Sequence, residues 1–273
     1  MTTATAGNFQ TLCRQWRQYR KLSQLDLALA ANVSQRHVSW LENGRSAPSR
    51  DMVVRLSEAM DIPLRERNAL LQSAGYTPIY RETDLSDPAM GPVLDALERM
   101  LRHHEPLPAV VVDRYWNLKL RNRAADLLLG LGGDIEEIMA DTGTSGAINL
   151  ALLTLHPQGL RRYISNWEQA APSFVRRLRA DARALGDQAL LARFEQFIAL
   201  SDAPDDHGVA ESLLPVLPLE IDVDGLRLSL FTVMSTIGTA QDITADELRL
   251  EAFYPADADT EAFFRAAAAE GDA

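Results

Sequence analysis

Residues 23–48 read SQLDLALAANVSQRHVSWLENGRSAP, two short amphipathic segments on either side of a tight turn. Ser34 supplies the start of the second segment, because a serine hydroxyl can accept a hydrogen bond from an otherwise unpaired first-turn amide. Val38 and Leu41, three apart, then give that helix its inward face, and Gln35, Arg36 and Ser39 point elsewhere. Those three side chains suit the major groove of DNA: arginine forks onto guanine O6 and N7, glutamine pairs with adenine N6 and N7, and serine serves either. Ser23 caps the first segment and Gln24 opens it, so a helix N-terminus and an amide side chain stand together where they can hold a phosphate.

The same stretch, extended by one residue to SQLDLALAANVSQRHVSWLENGRSAPS, closely resembles the xenobiotic-response-element, lambda-repressor-like family of helix-turn-helix domains. The resemblance covers about residues 8–75. It implies an all-α five-helix domain in which Gln35, Arg36 and Ser39 face the major groove of double-stranded DNA, and Gln24, Asn43 and Arg45 meet the backbone. The alternative is a five-helix bundle that binds protein or has lost its DNA contacts.

Outward from this core, residues 9–21 form the first helix, with Phe9, Leu12, Cys13 and Trp16 on its buried face and Arg14, Arg17, Arg20 and Lys21 opposite, where they can line a backbone strand. Asn43-Gly44 ends the third helix. Ser49 caps a fourth over residues 50–60, and Pro63 starts a fifth that ends near Ala74. Residues 76–87 carry proline and polar residues without a period, which reads as a linker between a DNA-binding domain at 1–75 and a second domain at 88–273.

Charge divides the chain in the same place. The net charge is −11, an unfavourable balance for a DNA-binding protein taken whole. Residues 1–80 hold ten Lys and Arg against six Asp and Glu, or +4, and the remaining 17 against 32 leave −15. Only the first part is fit for phosphate, and the acidic remainder restricts contact to the basic face and makes binding salt-sensitive. A hydrophobic fraction of 47% with 24% charged residues gives each part enough apolar residues for a core. No apolar run approaches the roughly 18 residues of a membrane span. The opening MTTATAGN lacks a basic region followed by an apolar one, so a cytoplasmic protein without membrane attachment is expected, near the nucleoid when DNA-bound. Cys13 is the only cysteine and lies on a buried helix face, which makes it core and rules out an internal disulfide.

The second domain begins with a long helix from Asp87-Pro88 to His104, which packs on its own domain or forms a dimer seam. PAVVVDRYWNLKLRNRAADLLLGL then gives a strand over 109–112, a turn at Asp113-Arg114, a strand over 116–120 and a helix from about Asn122. Helices are expected over 135–140, 147–155, 160–185 and 188–200, then strands over 216–223 and 226–236 about an Asp224-Gly225 turn, a strand over 248–254 and a terminal helix at about 260–269. A hairpin feeding into a helix is how PAS-type sensor domains begin.

Three stretches, DPAMGPVLDALERMLRHHEPLPAVVVDRYWNLKLRNRAADLLLG, NLALLTLHPQGLRRYISNWEQAA and ELRLEAFYPADADT, look like the MmyB-like ligand-binding domain, over about residues 80–268. That resemblance implies an α+β, PAS-like domain with an antiparallel sheet and inserted helices around an apolar cavity, and a lipophilic or fatty-acid-like effector as its occupant. In such a fold the lining comes from Trp116, Leu118, Trp167, Phe174, Phe197, Phe231 and Met234, each of which can equally be plain core. His156, Arg161 and Arg162 are the candidates for an acidic head group, against a solvated reading in which His156-Pro157 is only a cap.

No enzyme or metal motif is read from the remaining residues. Gly130-Leu131-Gly132-Gly133 follows a helix rather than a strand and is a C-cap. Asp202, Asp205, Asp206 and His207 lack metal-ligand spacing, and Asp222-Val223-Asp224-Gly225 lacks the terminal glutamate of a calcium loop. Two readings follow: a homodimeric one-component transcriptional regulator without a catalytic role, or a small-molecule carrier or enzyme carrying a non-functional helix-turn-helix. Sequence-selective, ligand-responsive DNA binding distinguishes them.

Overall fold

The computed structural model describes residues 8–130, 135–141, 147–204 and 215–271. Helices α1 (Phe9–Tyr19), α2 (Gln24–Ala30), α3 (Gln35–Glu42), α4 (Arg50–Ala59) and α5 (Leu64–Ser73) come first, then α6 (Gly91–His104), strands β1 (Ala109–Val112) and β2 (Leu118–Arg121), and helices α7 (Arg123–Gly130), α8 (Ile135–Asp141) and α9 (Leu150–Leu155). Helices α10 (Trp167–Ala184) and α11 (Gln188–Leu200), strands β3 (Leu219–Val223) and β4 (Leu226–Thr236), helix α12 (Ile243–Glu247), strand β5 (Arg249–Pro255) and helix α13 (Ala258–Gly271) complete the chain.

The chain forms two compact units: Met1–Thr83 with Thr239–Asp246, and Asp84–Gly238 with Glu247–Ala273. In the first, side-chain oxygens of Asn8, Ser23, Ser34 and Ser49 each accept a first-turn amide at the start of α1 to α4. Such a cap is worth about 1 kcal/mol, which matters for helices this short because propensity alone does not hold them. Cys13, Leu27, Val38, Leu41, Val53, Leu56 and Leu71 are fully buried among these helices. Between α2 and α3 the chain turns through Asn32 at φ 52°, a left-handed conformation that asparagine tolerates.

Helix α5 begins differently. Its N-cap is Pro63, which offers no capping side chain. The amide of Leu64 instead donates to Asp246 Oδ2 at 3.3 Å, from the segment that joins β4 to β5. The residues read as a linker are stapled in the same way. Asn68 Oδ1 accepts from the amides of Ile79 and Tyr80 at 3.0 and 3.2 Å, and Asn68 Nδ2 donates to the Tyr80 carbonyl at 2.7 Å. Farther on, the Thr83 hydroxyl donates to Asp242 Oδ2 at 2.6 Å, and the Ile243 amide to the Arg81 carbonyl at 2.8 Å. Side-chain acceptors here supply the pairing that a regular period would otherwise announce.

The second unit is α+β. Its sheet has the order β2-β1-β5-β4-β3, with every pairing antiparallel. Alternate residues face opposite sides. Ala109, Val111, Leu250 and Ala252 pack with Leu97 and Leu101 of α6, and Val110 and Val112 join Trp116, Trp167, Phe194 and the helices of the other side. Asp224 and Gly225, at φ 51° and 89°, make the tight β3–β4 hairpin expected of that pair.

Several expectations shift, among them the strand expected from residue 216, which begins at Leu219, and the helix expected from Pro88, which opens as a 3₁₀ turn over Pro88–Met90. The helix expected over 160–185 is a 3₁₀ turn at Leu160–Tyr163 followed by α10, because Ile164 bridges to Ile221 and the Asn166 side chain bonds Pro218 and Glu220 of the sheet edge. The strand expected from Trp116 begins at Leu118, since Trp116 itself turns at φ 66°. The helix expected from residue 147 starts at Leu150, because Asn149 caps it while bonding Tyr115 and Asn117.

Candidate nucleic-acid interface and ligand cavity

Helix α3 is anchored by Val38 and Leu41, both at 0% exposure, and Ser34 accepts the His37 amide at its start. Gln35 and Arg36 are exposed on that first turn, Ser39 is half-buried, and the Arg36 guanidinium lies 4.4 Å from the centre of the Trp40 ring. Gly44, at φ 69°, closes the helix and lets the Arg45 amide return to the Trp40 carbonyl at 2.8 Å, which leaves the Arg45 side chain exposed. An exposed fork beside an exposed amide on a rigid, capped turn is what bidentate base contact requires.

Glu42, the last residue of α3, is buried at 2% exposure and gathers the neighbouring polar side chains. Arg17 Nε and Nη2 donate to its two oxygens at 2.6 and 2.9 Å, and Gln24 Nε2 donates at 2.8 Å. Burial alone would raise this carboxyl, but the hydrogen bonds from Arg17 and Gln24 and the charges of Arg17 and Arg14 outweigh it and hold Glu42 below its ordinary range. Arg17 is therefore placed otherwise than expected for a backbone contact, since its third nitrogen is also engaged, by the Leu22 carbonyl at 2.8 Å. Arg14 reaches Asn43 Oδ1 at 2.9 Å, Asn43 donates to the Ser39 carbonyl at 2.8 Å, and Arg20 donates to the Met60 carbonyl at 2.8 Å.

The second unit has a partly open cavity of about 270 Å³ between the sheet and α7, α9 and α10. Its walls are mostly apolar, among them Trp116, Leu128, Leu129, Trp167, Phe174, Leu219, Leu230, Phe231 and Phe253. Of the residues expected there, Trp116, Trp167, Phe174 and Phe231 line it. Phe197 is buried in the adjoining core, and Leu118 packs against that core from the side. Met234 is half-buried on β4 outside the lining, and His156 Nδ1 accepts the Gln158 amide after α9. Arg161 lies behind the wall, its guanidinium 4.4 Å from the Trp167 ring centre.

Trp116 is held against its own preference. A bulky residue at φ 66° costs on the order of 1–3 kcal/mol and persists only where the surroundings over-determine it. Asp113 Oδ1 accepts from the amides of Tyr115 and Asn117 at 2.8 and 2.9 Å, and Asn149 Nδ2 donates to the Tyr115 carbonyl at 2.7 Å. The next residue of the turn, Arg114, is 1% exposed and pairs with Asp187 and Glu247, both at 2.8 Å. The result is an indole edge-on to Phe174, with ring centres 5.4 Å apart, fixed at the cavity wall.

One corner of the cavity is polar and was not foreseen. Arg177, Glu251 and Thr232 meet there. Arg177 Nη1 lies 3.4 Å from Glu251 Oε1, while Arg177 Nη2 and the indole nitrogens of Trp116 and Trp167 are buried without a hydrogen-bond partner. Burial drives the Glu251 carboxyl above its ordinary range, and the Arg177 charge and the Thr232 hydroxyl offset this only in part. The signal was present in ELRLEAFYP: Glu251 shares the phase of Phe253, the inward phase of β5, where a charge is out of place in a simple core.

Other polar motifs are accounted for. Asp222 Oδ1 accepts the Gly225 amide at 3.3 Å within the hairpin turn, and Gly130 ends α7. Asp205, Asp206, His207 and 131–133 lie outside the described residues. Among the described residues no group of His, Cys, Asp and Glu is placed to hold a metal ion, and no helix is long and apolar enough to cross a membrane.

No curated protein matches the chain. Residues 14–67 match the helix-turn-helix family, the span that carries α2 and α3. Residues 93–267 match the MmyB-like transcription regulator ligand binding domain, the span that carries the sheet and its cavity. With an exposed Gln35-Arg36 turn in one unit and a mostly apolar cavity in the other, the chain belongs to the family of transcription regulators with an MmyB-like ligand-binding domain behind a helix-turn-helix.

Proposed function

We propose that this regulator reads DNA through the first turn of α3 and that a lipophilic, fatty-acid-like molecule in the cavity changes its affinity for DNA. Gln35, Arg36 and Ser39 take base edges and Arg45 takes a phosphate, while Gln24, whose amide donates to Glu42, and Asn43, bonded to Arg14 and Ser39, support the end of α3. Arg17 is left out of the contact set because Glu42 and Leu22 occupy it, so its role is to fix the end of α3. The protein acts as a cytoplasmic homodimer on a two-fold site, since one such helix reads too few bases for useful selectivity. The second unit works as a PAS-like sensor.

The observation that carries this reading is the aromatic-walled, mostly apolar cavity in the same chain as a basic unit with an exposed Gln35-Arg36 turn. Native mass spectrometry of the purified protein, with extraction of any bound compound, identifies the occupant. Titration of genomic DNA fragments at several salt concentrations, with and without that compound, should then give binding that weakens with salt, differs between fragments and moves with the compound. Binding that is equal on all fragments and indifferent to the compound defeats it.

A further inference from the structure

The polar corner of the cavity holds more donors than acceptors can satisfy. Arg177 Nη2 and Trp116 Nε1 are both buried and unpartnered, and the Arg177 guanidinium lies 5.1 Å from the centre of the Trp116 ring. Buried donors are ordinarily paired, and leaving one unpaired is destabilising. An occupant that supplies acceptors removes that deficit. The alternative partner already present is poor: Glu251 meets Arg177 through one long contact of 3.4 Å, where a guanidinium and a carboxylate normally make two short ones.

Resting on the ligand reading above, we propose that Arg177 and Glu251 form the head-group site of the cavity: Arg177 passes from Glu251 to the carboxylate of an otherwise apolar acid, and Glu251 takes one proton from solvent as it is released. Charge is conserved in the exchange. The incoming carboxylate replaces the Glu251 carboxylate as partner of the guanidinium, and the added proton neutralises Glu251. The groups around Glu251 favour this. Arg177 and Asp181 face it from α10, Thr232 from β4, and the β1 residue opposite is Val110. Arg249, two residues back on its own strand, is engaged by Asp181 at 2.6 Å and so does not compensate it. Burial already holds Glu251 in a range where it keeps a proton more readily than an exposed glutamate. The corner therefore selects acids over esters and alcohols of equal length, and a positioned guanidinium sets that selectivity.

The test uses the full chain, stripped of co-purified compounds, with dodecanoic acid, its methyl ester and 1-dodecanol as probes and tryptophan fluorescence as the readout, because Trp116 and Trp167 line the cavity. The acid should bind the parent protein about tenfold to a hundredfold more tightly than the ester. Arg177→Met should bring the affinity for the acid down to that for the ester, continued binding of the ester showing that the cavity is still formed, and Arg177→Lys should restore part of the difference. Over the pH range in which Glu251 is ionised in the free protein but protonated in the complex, the affinity of the acid should fall with rising pH, by up to about tenfold per unit, and that of the ester should stay flat. Glu251→Gln should flatten the acid's profile. Equal affinities for acid and ester, or an Arg177→Met variant that still prefers the acid, overturn the head-group site. A flat profile for the acid in the parent protein overturns the proton uptake. Failure of all three probes to bind defeats instead the underlying reading of a lipophilic ligand.

Discussion

Glu42 at the end of α3 and Arg17 of α1 form a two-pronged ion pair, 2.6 and 2.9 Å, with the Glu42 side chain wholly buried. The recognition helix is thus fixed to its neighbour by a charge that has no access to water. Removing the cation leaves that carboxylate uncompensated. Arg17→Met should therefore cost about 3–5 kcal/mol in urea unfolding of the first unit, and the double variant Arg17→Met, Glu42→Gln should cost less than the single one.

The same pair makes stability depend on acid. Glu42 is held below its ordinary range in the folded state, so its contribution is present in full above the unfolded carboxyl pKa and is lost as pH falls through the lower folded value. Glu42→Gln should flatten that part of the stability profile below about pH 4. Unfolding midpoints measured across the acid range check it, and a parallel decline in both proteins would remove Glu42 from the account.

On DNA, Arg36→Ala should cost about 1–3 kcal/mol and relax selectivity at one position, whereas Arg45→Ala should weaken binding to all sequences and lower the salt slope by about one. Titrations on an operator and its single-base variants separate reading from holding. Equal losses on every sequence for Arg36→Ala would refute its base-reading role. A footprint with two-fold symmetry and half-sites about 34 Å apart is expected for the dimer, and a monomer mass on DNA would contradict it.

The two units are joined by more than one covalent crossing. Besides the crossing at Thr83–Asp84, the chain leaves the second unit after Gly238 and re-enters it at Glu247. The intervening segment holds Asp242 and Asp246, the partners of Thr83 and of the α5 N-terminus. A Gly-Ser insertion at Thr83 should reduce a coupling of about 1–3 kcal/mol only in part, and a second insertion after Gly238 should reduce it further. Operator titrations with and without saturating ligand compare the variants. Filling the cavity through Ala170→Trp should mimic ligand in the same assay.

Cys13 should be inert. Burial, followed by the nearby charge of Glu42, pushes its thiol up to about 12, so the thiolate that reacts is scarce at neutral pH. Labelling with a thiol reagent should proceed only at the rate of unfolding, and fast labelling of the folded protein would contradict the placement.

Local features were legible in the order of residues alone. Capping serines, the three-residue spacing of Val38 and Leu41, the apolar run of β1 and the Asp224-Gly225 turn between β3 and β4 each fix their conformation within a few residues, and they are where the expectations and the fold coincide. The break between residues 160 and 167 was hidden because its causes, Ile221 and Pro218, are more than fifty residues away. The fate of Arg17 was hidden for a related reason: an exposed-looking cation on a helix face meets Glu42 only when α1 and α3 pack. Tertiary structure alone brought Arg177 of α10 to Glu251 of β5 and left a guanidinium nitrogen unpaired at the cavity. Burial is a property of the assembled fold, and it is burial that turns an ordinary arginine and glutamate into groups whose partners must be accounted for.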